Sequence, residues 1–499
     1  MISLLDLIGI FVALFIVVLT YYKWSFKHWE RKKLPYLEPK FPLGCIPKKR
    51  MRVGDIVMEW YKEIKRRGHK HGGAFLHYRP VYIPVDPDYI KNILIKDFQH
   101  FTDRGLFHDE KTDPLSAHLF NMDGPQWKYL RGKLTPTFSS GKMKMMFDTL
   151  VQCTGPFLEA MDKFASGCKP IDIKELLSCF TTDVIGSCAF GIDCNSFADG
   201  NCEFRRHGAN VFKPRSKFWE FKRFLRNELP KLGALLRLRA LEDDDYNFFM
   251  NMVAETIEYR EKNSVERSDF MQLLIGLMKG QGLNFNQIAA QAFVFFIAGF
   301  ETSSTTMTFA MYEMAVNPDM QRRVREEVKE VLGRHEGRFT YEGLGEMTYL
   351  QQVIDETLRK HSPAELSVRF CSKDYLIPNT DVVVDKGTRV FVPIKGLHMD
   401  EEYFPEPEKF DPERFNAENK SKIKAGTYLP FGDGPRNCIG LRFGLMQTKV
   451  GLAVLLKNYH FTLNEKTVQP LKMVINTFIP TTEGGIWLNA TKVDQKIVD

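Results

Sequence analysis

Ten residues near the C-terminus, Phe431-Gly432-Asp433-Gly434-Pro435-Arg436-Asn437-Cys438-Ile439-Gly440, place one thiol among three glycines and a cation. A cysteine thiolate can ligate haem iron and push enough electron density onto it to favour O–O cleavage. Glycines 432, 434 and 440 let the backbone run close to a flat ring and aim amide N–H groups at the sulfur, which tunes the metal. Phe431 is placed to pack beside the sulfur, and Arg436 to meet a carboxylate of the ring. Five fixed positions at roughly one in twenty each, over about 500 windows, recur by chance on the order of once per ten thousand chains. The segment therefore reads as a haem-thiolate site with Cys438 as the metal ligand.

The segment resembles the haem-binding loop of the cytochrome P450 family, and other landmarks of that family follow in order over nearly the whole chain. Glu356-Thr357-Leu358-Arg359 matches its E-x-x-R helix and Pro412-Glu413-Arg414-Phe415 its PERF segment. Helical residues three apart share a face, so Glu356 and Arg359 can pair. The resemblance implies that Arg414 completes a Glu–Arg–Arg network. It also implies that Trp127, Arg131 and Arg369, with Arg104 a weaker candidate, hold the haem propionates beside Arg436. Buried carboxylates need such compensating charge.

Ala298-Gly299-Phe300-Glu301-Thr302 lies inside a long apolar run and matches the family's oxygen-activation motif. A mid-helix glycine costs about 1 kcal/mol relative to alanine, so Gly299 suggests a loosened turn that opens a groove for O2 and water. On this reading Thr302 bonds the distal oxygen and Glu301 relays protons, making Thr302, Glu301 and Cys438 the catalytic set. An outward Glu301 with a back-bonding Thr302 is the plain structural alternative.

Mostly helical elements must position these groups. Residues 287–314, 321–332 and 347–360 carry helical period, with a helix end expected at Gly333. Strand signals are short: 81–85, 382–384, 389–392 and a hairpin candidate around 475–488. The fold class is thus mainly α, and the resemblance implies the cytochrome P450 fold, a helical haem domain with small β-sheets plus an N-terminal transmembrane helix. Residues 1–22 are expected to form the anchor, since 2–22 carry a single charge, Asp6, and match a hydrocarbon core of about 30 Å. Residues 23–47 read as a basic halt-transfer signal and proline-rich hinge, and 48–499 as the haem-thiolate domain. Lys23, Lys27, Arg31, Lys32 and Lys33 would keep that flank cytosolic. Without a basic n-region or a small-residue cleavage site, a removed signal peptide fits less well.

Nine cysteines without a C-x-x-C pair argue against a disulfide framework or structural zinc, and read as small buried thiols apart from Cys438. Between 211 and 239, Phe212, Phe218, Trp219, Phe221 and Phe224 alternate with Lys213, Arg215, Lys217, Lys222, Arg223 and Arg226. That mixture suits a secondary membrane contact or a solvated helix face. No nucleic-acid module accompanies it, so nucleic acid is not expected as a partner.

The resemblance implies a monooxygenase that inserts one atom of O2 into small lipophilic substrates: xenobiotics, plant allelochemicals, insecticides or endogenous lipids and hormones. Its cofactor would be haem b. Lacking a dinucleotide fingerprint of its own, the chain would receive NADPH electrons from a separate reductase, with cytochrome b5 optional. Lys128, Lys133 and Arg442 would suit an acidic flavoprotein. The strings ETLRKH (356–361), KDYLIP (373–378) and EGGIWL (483–488) resemble insect microsomal members of the detoxifying kind, which implies the endoplasmic reticulum membrane. His361-Ser362 departs from a commoner Tyr-Pro, and Met399 interrupts the usual His-x-Asp-Pro. Expected pocket walls are 107–120, Phe293, Phe296, Ala298, 362–368 and 476–479, and the 40 phenylalanines of the chain suit an apolar cavity. Two alternatives stay open: an electron-independent haem-thiolate isomerase and a non-catalytic haem sensor or binding protein.

Overall fold

The computed structural model describes residues 4–198, 202–213, 216–475 and 477–493. The chain divides into two compact units, the first made of residues 1–105, 364–407 and 423–437, the second of 106–363, 408–422 and 438–499.

The first unit begins with the apolar helix Leu4–Phe26, exposed along nearly all its length and long and apolar enough to cross a membrane. The helix runs four residues past the expected end at 22. Beyond it the chain does not stand off as a spacer. Trp29 is buried with its indole N–H on the Ala74 carbonyl at 3.1 Å, Leu34 and Leu37 are buried, and Tyr36 bridges Gly73. The physical reason is that Gly73 has no side chain: a Cβ there would lie 2.5 Å from the Trp29 ring. A four-stranded sheet follows in the order His71–Leu76, Arg79–Pro84, Arg389–Val392, Ser367–Phe370. Val53–Arg66 is helical because Ile56, Val57, Trp60, Tyr61 and Ile64 form one apolar stripe, and all five are buried.

The second unit is a helical body around Phe285–Val316, a helix of 32 residues and roughly 48 Å. Its start is fixed by reciprocal bonds: Asn284 Oδ1 accepts the Gln287 amide at 2.9 Å, and Gln287 Oε1 accepts the Asn284 amide at 3.1 Å. Ile173–Ile185 and Leu441–Asn458 pack along it. Pro318–Arg334 and Thr348–Lys360 match the expected helices, the first ending one residue beyond Gly333. A small sheet orders Ile171–Asp172, Trp487–Lys492, Tyr459–Leu463.

The C-terminal hairpin is corrected in detail. Residues 472–474 and 481–483 do pair, but Trp487–Lys492 forms its ladder with Tyr459–Leu463 and Ile171–Asp172. Gly484 and Gly485, both at positive φ, turn the chain away between the two.

Candidate functional site

In the second unit, Cys438 precedes Leu441–Asn458 by three residues and is exposed. On Gly124–Leu134, Trp127 and Arg131 stand one turn apart, Trp127 buried and Arg131 half-buried. Burial lowers the Arg131 pKa, while the charge of the Cys438 thiolate works to raise it, so the thiol and this guanidinium lie within electrostatic reach. Lys128 is exposed on the same helix, and Lys133 lies over the Tyr129 ring at 5.3 Å.

The long helix is buried through most of its length, yet Ala298 is exposed and Thr302 half-buried midway along it. These residues are one turn apart, and Thr302 Oγ1 donates to the Ala298 carbonyl at 2.7 Å. Glu301 points elsewhere. Its carboxylate is buried and pairs with Lys174 Nζ on Ile173–Ile185 at 2.9 Å, while Lys174 also donates to Ser304 Oγ at 2.9 Å and Thr305 Oγ1 at 2.8 Å. Lys174 offers no signal in the sequence: a lone lysine in an amphipathic helix has no partner until the fold supplies one.

The expected loosened turn at Gly299 is corrected. The helix is continuous from Phe285 to Val316, and a Cβ at Gly299 would lie 2.4 Å from Ile185 Cδ1, so glycine permits close packing of two helices. The Gly299 carbonyl accepts from Gln447 Nε2 at 3.1 Å. Phe293 and Phe296 are buried among aromatic neighbours. Phe296 stacks with Phe300 at 5.3 Å and meets Phe204 at 4.9 Å, and Phe293 meets Phe249 at 4.9 Å. Of the region 107–120, Phe120 is exposed and Leu115 and Ser116 are buried. In the stretch 476–479, Asn476 lies outside the described residues, Phe478 is exposed and Ile479 buried.

Glu356 and Arg359 form a two-armed pair at 2.7 and 2.8 Å with both side chains fully buried. The same carboxylate takes the Asp411 amide at 2.8 Å and lies 3.5 Å from Arg414 Nε. Burial raises the Glu356 pKa, and Arg359 opposes that rise. The pair plus amide satisfies the carboxylate, as a buried charge requires.

The first unit holds the remaining candidates. Arg369 is buried on Ser367–Phe370, where it donates to Ser367 Oγ at 2.8 Å and the Val368 carbonyl at 2.9 Å. Its Nε has no hydrogen-bond partner among the described residues, and burial lowers its pKa to about 10. Arg436 is buried with Nε on the Thr102 carbonyl at 2.7 Å, and Arg104 Nη2 donates to the Arg436 carbonyl at 3.2 Å. Phe431 is half-buried. Gly434 has φ +70°, and a Cβ there would sit 1.9 Å from the Leu94 carbonyl oxygen, so this turn admits only glycine.

These observations test the fit of an iron porphyrin. A buried guanidinium with a bare Nε is costly unless an anion meets it, and carboxylates of such a ring would meet Arg369. An exposed thiol with a cation in electrostatic reach suits an anionic metal ligand. The donor set fits.

A family model described as cytochrome P450 matches residues 34–487. Curated relatives agree. The chain is 42% identical to "Probable cytochrome P450 6a20" of Drosophila melanogaster over 97% of this chain and 100% of that protein. It is 40% identical to "Cytochrome P450 6a2" of the same fly over 98% and 99%, and 39% identical to "Cytochrome P450 6A1" of Musca domestica over 99% of each.

Proposed function

Because the chain belongs to the cytochrome P450 family of haem monooxygenases, we propose that it inserts one atom of O2 into small lipophilic substrates, with electrons from NADPH passed by a separate reductase. Foreign lipophiles such as plant allelochemicals and insecticides, or endogenous lipids and hormones, are the substrate classes. The observation that carries this reading is the face of the long helix where Ala298 is exposed and Thr302 half-buried.

Bound through Cys438, haem supplies electron transfer to O2 and oxygen insertion into C–H bonds. The chain's own residues do the rest. Cys438 donates electron density as a thiolate, and the Arg131 cation stabilises that charge. Trp127 and Arg131, and separately Arg369 and Arg436, would hold the ring through its carboxylates, and Phe431 would shield the sulfur from water. Thr302 Oγ1, which donates to the Ala298 carbonyl at 2.7 Å, would give up that bond and offer its proton to bound O2. Glu301, once released from Lys174, would take a proton from water and pass it to Thr302.

The same reading gives a single-pass anchor at Leu4–Phe26 in the endoplasmic reticulum membrane with a cytosolic catalytic body. Phe218, Phe221 and Phe224 are exposed on Lys217–Glu228, with Lys222 over the Phe218 ring at 4.8 Å. That face suits a second contact with membrane lipid, rings sunk and cations at the headgroups. Lys128, Lys133 and Arg442 suit an acidic reductase or cytochrome b5.

Reconstitution with NADPH–cytochrome P450 reductase, NADPH and a panel of lipophiles tests the proposal. Substrate-dependent NADPH use with one oxygen atom in the product supports it; turnover without NADPH or O2 would move the protein to the isomerases.

A further inference from the structure

The apolar helix Leu4–Phe26 does not leave its end free, and the helical path runs on to Arg31. Tyr22, Ser25, Phe26 and Trp29 follow at the spacing that puts residues on one helical face. Each of them meets the first unit's sheet or a turn beside it. The Tyr22 ring lies 5.0 Å from Phe41 and 5.7 Å from Tyr78. Ser25 is buried with its hydroxyl donating to the Tyr78 carbonyl, and the Phe26 ring meets Phe75 at 5.4 Å. Trp29 closes the stripe on the Ala74 carbonyl. We propose that Phe41 and the hairpin turn at Tyr78 form a second contact with phospholipid, held at headgroup level by this stripe. That placement rests on the reading of Leu4–Phe26 as a membrane anchor.

Contact with Tyr22 sets the depth. From Leu4 to Tyr22 the helix rises about 27 Å at ~1.5 Å per residue, close to a hydrocarbon core of ~30 Å. Lys23 follows at once and is exposed. Tyr21 and Tyr22 therefore stand where hydrocarbon gives way to headgroups, the level that aromatic rings with a polar tip favour. Trp24 is exposed in the same belt, with the Arg31 guanidinium 4.9 Å from its ring. Tyr78 touches Tyr21 as well, at 5.5 Å. Rings this close to Tyr21 and Tyr22 share their level. An exposed phenylalanine is ordinary on a protein surface. Phe41, 50% exposed, instead sits against the cytosolic end of a membrane helix, where lipid can cover it.

The two turns are joined as one foot. Lys40 and Gly44 exchange backbone hydrogen bonds at 2.7 and 2.8 Å, making a tight turn that carries Phe41. The His77 amide donates to the Leu43 carbonyl at 3.2 Å and the Cys45 amide to the Phe75 carbonyl at 2.8 Å, which clamps that turn to the hairpin. Gly44 makes the clamp possible: its φ is +70°, and a Cβ there would lie 2.4 Å from the His77 carbonyl oxygen.

The stripe also restricts tilt. From Tyr22 to Trp29 it covers about 10 Å of helix, two turns, with a contact on each. Lys32 pairs with Asp385 beyond it. A flexible tether would let the sheet swivel over the bilayer; this joint presents the same two turns to it.

Full-length holoenzyme is placed in phosphatidylcholine vesicles that carry a phospholipid with a photoactivatable diazirine beside its glycerol. After irradiation, lipid adducts are mapped by peptide mass. We expect adducts on residues 21–24, on Phe41 and on the turn 76–79. Adducts on Leu4–Phe26 with none on Phe41 or 76–79 would overturn the proposal and leave the anchor standing. Absence of adducts from the helix too would overturn the anchor reading and the second contact with it. Tyr22→Ala removes the ring that meets both turns, and should abolish the Phe41 adducts while those on 4–26 persist. Tyr22→Phe keeps the ring and should retain them. Phe41 labelled as strongly in Tyr22→Ala as in wild type would show that the stripe does not hold the contact, against the proposal. Wild-type mapping needs no variant to fold.

Discussion

Glu301 Oε1 lies 2.9 Å from Lys174 Nζ, so the acidic residue of the oxygen motif is engaged by a cation on the neighbouring helix. A buried carboxylate left alone would be strongly disfavoured. Lys174 therefore holds the Glu301 carboxyl away from Thr302, and the pair must part before Glu301 serves Thr302.

Lys174→Met should destabilise the protein by about 1–2 kcal/mol, below the ~3–5 kcal/mol for breaking a fully buried pair because Lys174 retains some exposure. A double-mutant cycle with Glu301→Gln in urea melts measures it. A coupling energy near zero would mean that the ion pair does not form in solution.

Thr302→Ala removes a hydroxyl from the half-exposed face of the long helix without opening the core. Product formed per NADPH should fall about tenfold, less than the ~10²–10⁴-fold a positioned proton donor contributes to a rate because bound water can stand in for the hydroxyl, while peroxide or excess water accounts for the missing electrons. Equal coupling in mutant and wild type would remove Thr302 from proton delivery.

Arg359→Ala leaves Glu356 buried without its two-armed partner. The cost should be about 3–5 kcal/mol, seen as loss of haem content and a lower urea midpoint. Glu356→Gln should cost less, since an uncharged amide keeps the Asp411 contact within reach.

His71 is buried against Tyr82, its Nδ1 3.1 Å from the phenol oxygen, and burial brings its pKa down from 6.5 to about 4. The folded state then holds the neutral ring while the unfolded state protonates near pH 6.5. Its contribution is complete above that pH and disappears as pH falls through about 4, at most about 3 kcal/mol. Stability of His71→Gln should slope less over that window than wild type in urea midpoints measured at each pH.

Long helices were legible because their apolar period runs far beyond a turn: Gln321–Leu332 and residues 347–360 emerge within a few residues of their observed ends. The strand His71–Leu76 was not, because Gly72 and Gly73 lack the branched and aromatic side chains that mark a strand, their space being filled by Ile64 and Trp29. In the site, local motifs exposed Cys438, Glu356 and Arg359, whose spacing itself encodes the chemistry. The Glu301–Lys174 pair depends on two helices meeting in space, and no local pattern records that. Gly299 shows the reverse error: its residue type was informative, but its reason was Ile185 across a helix interface.

The reduced-protein carbon monoxide spectrum probes the sulfur–iron bond itself. Wild type should give the strongly red-shifted ferrous–carbonyl band of a thiolate ligand, and Cys438→Ser should lose that band together with oxygenating activity. Retention of both in Cys438→Ser would contradict the assignment of the axial ligand and the function built on it.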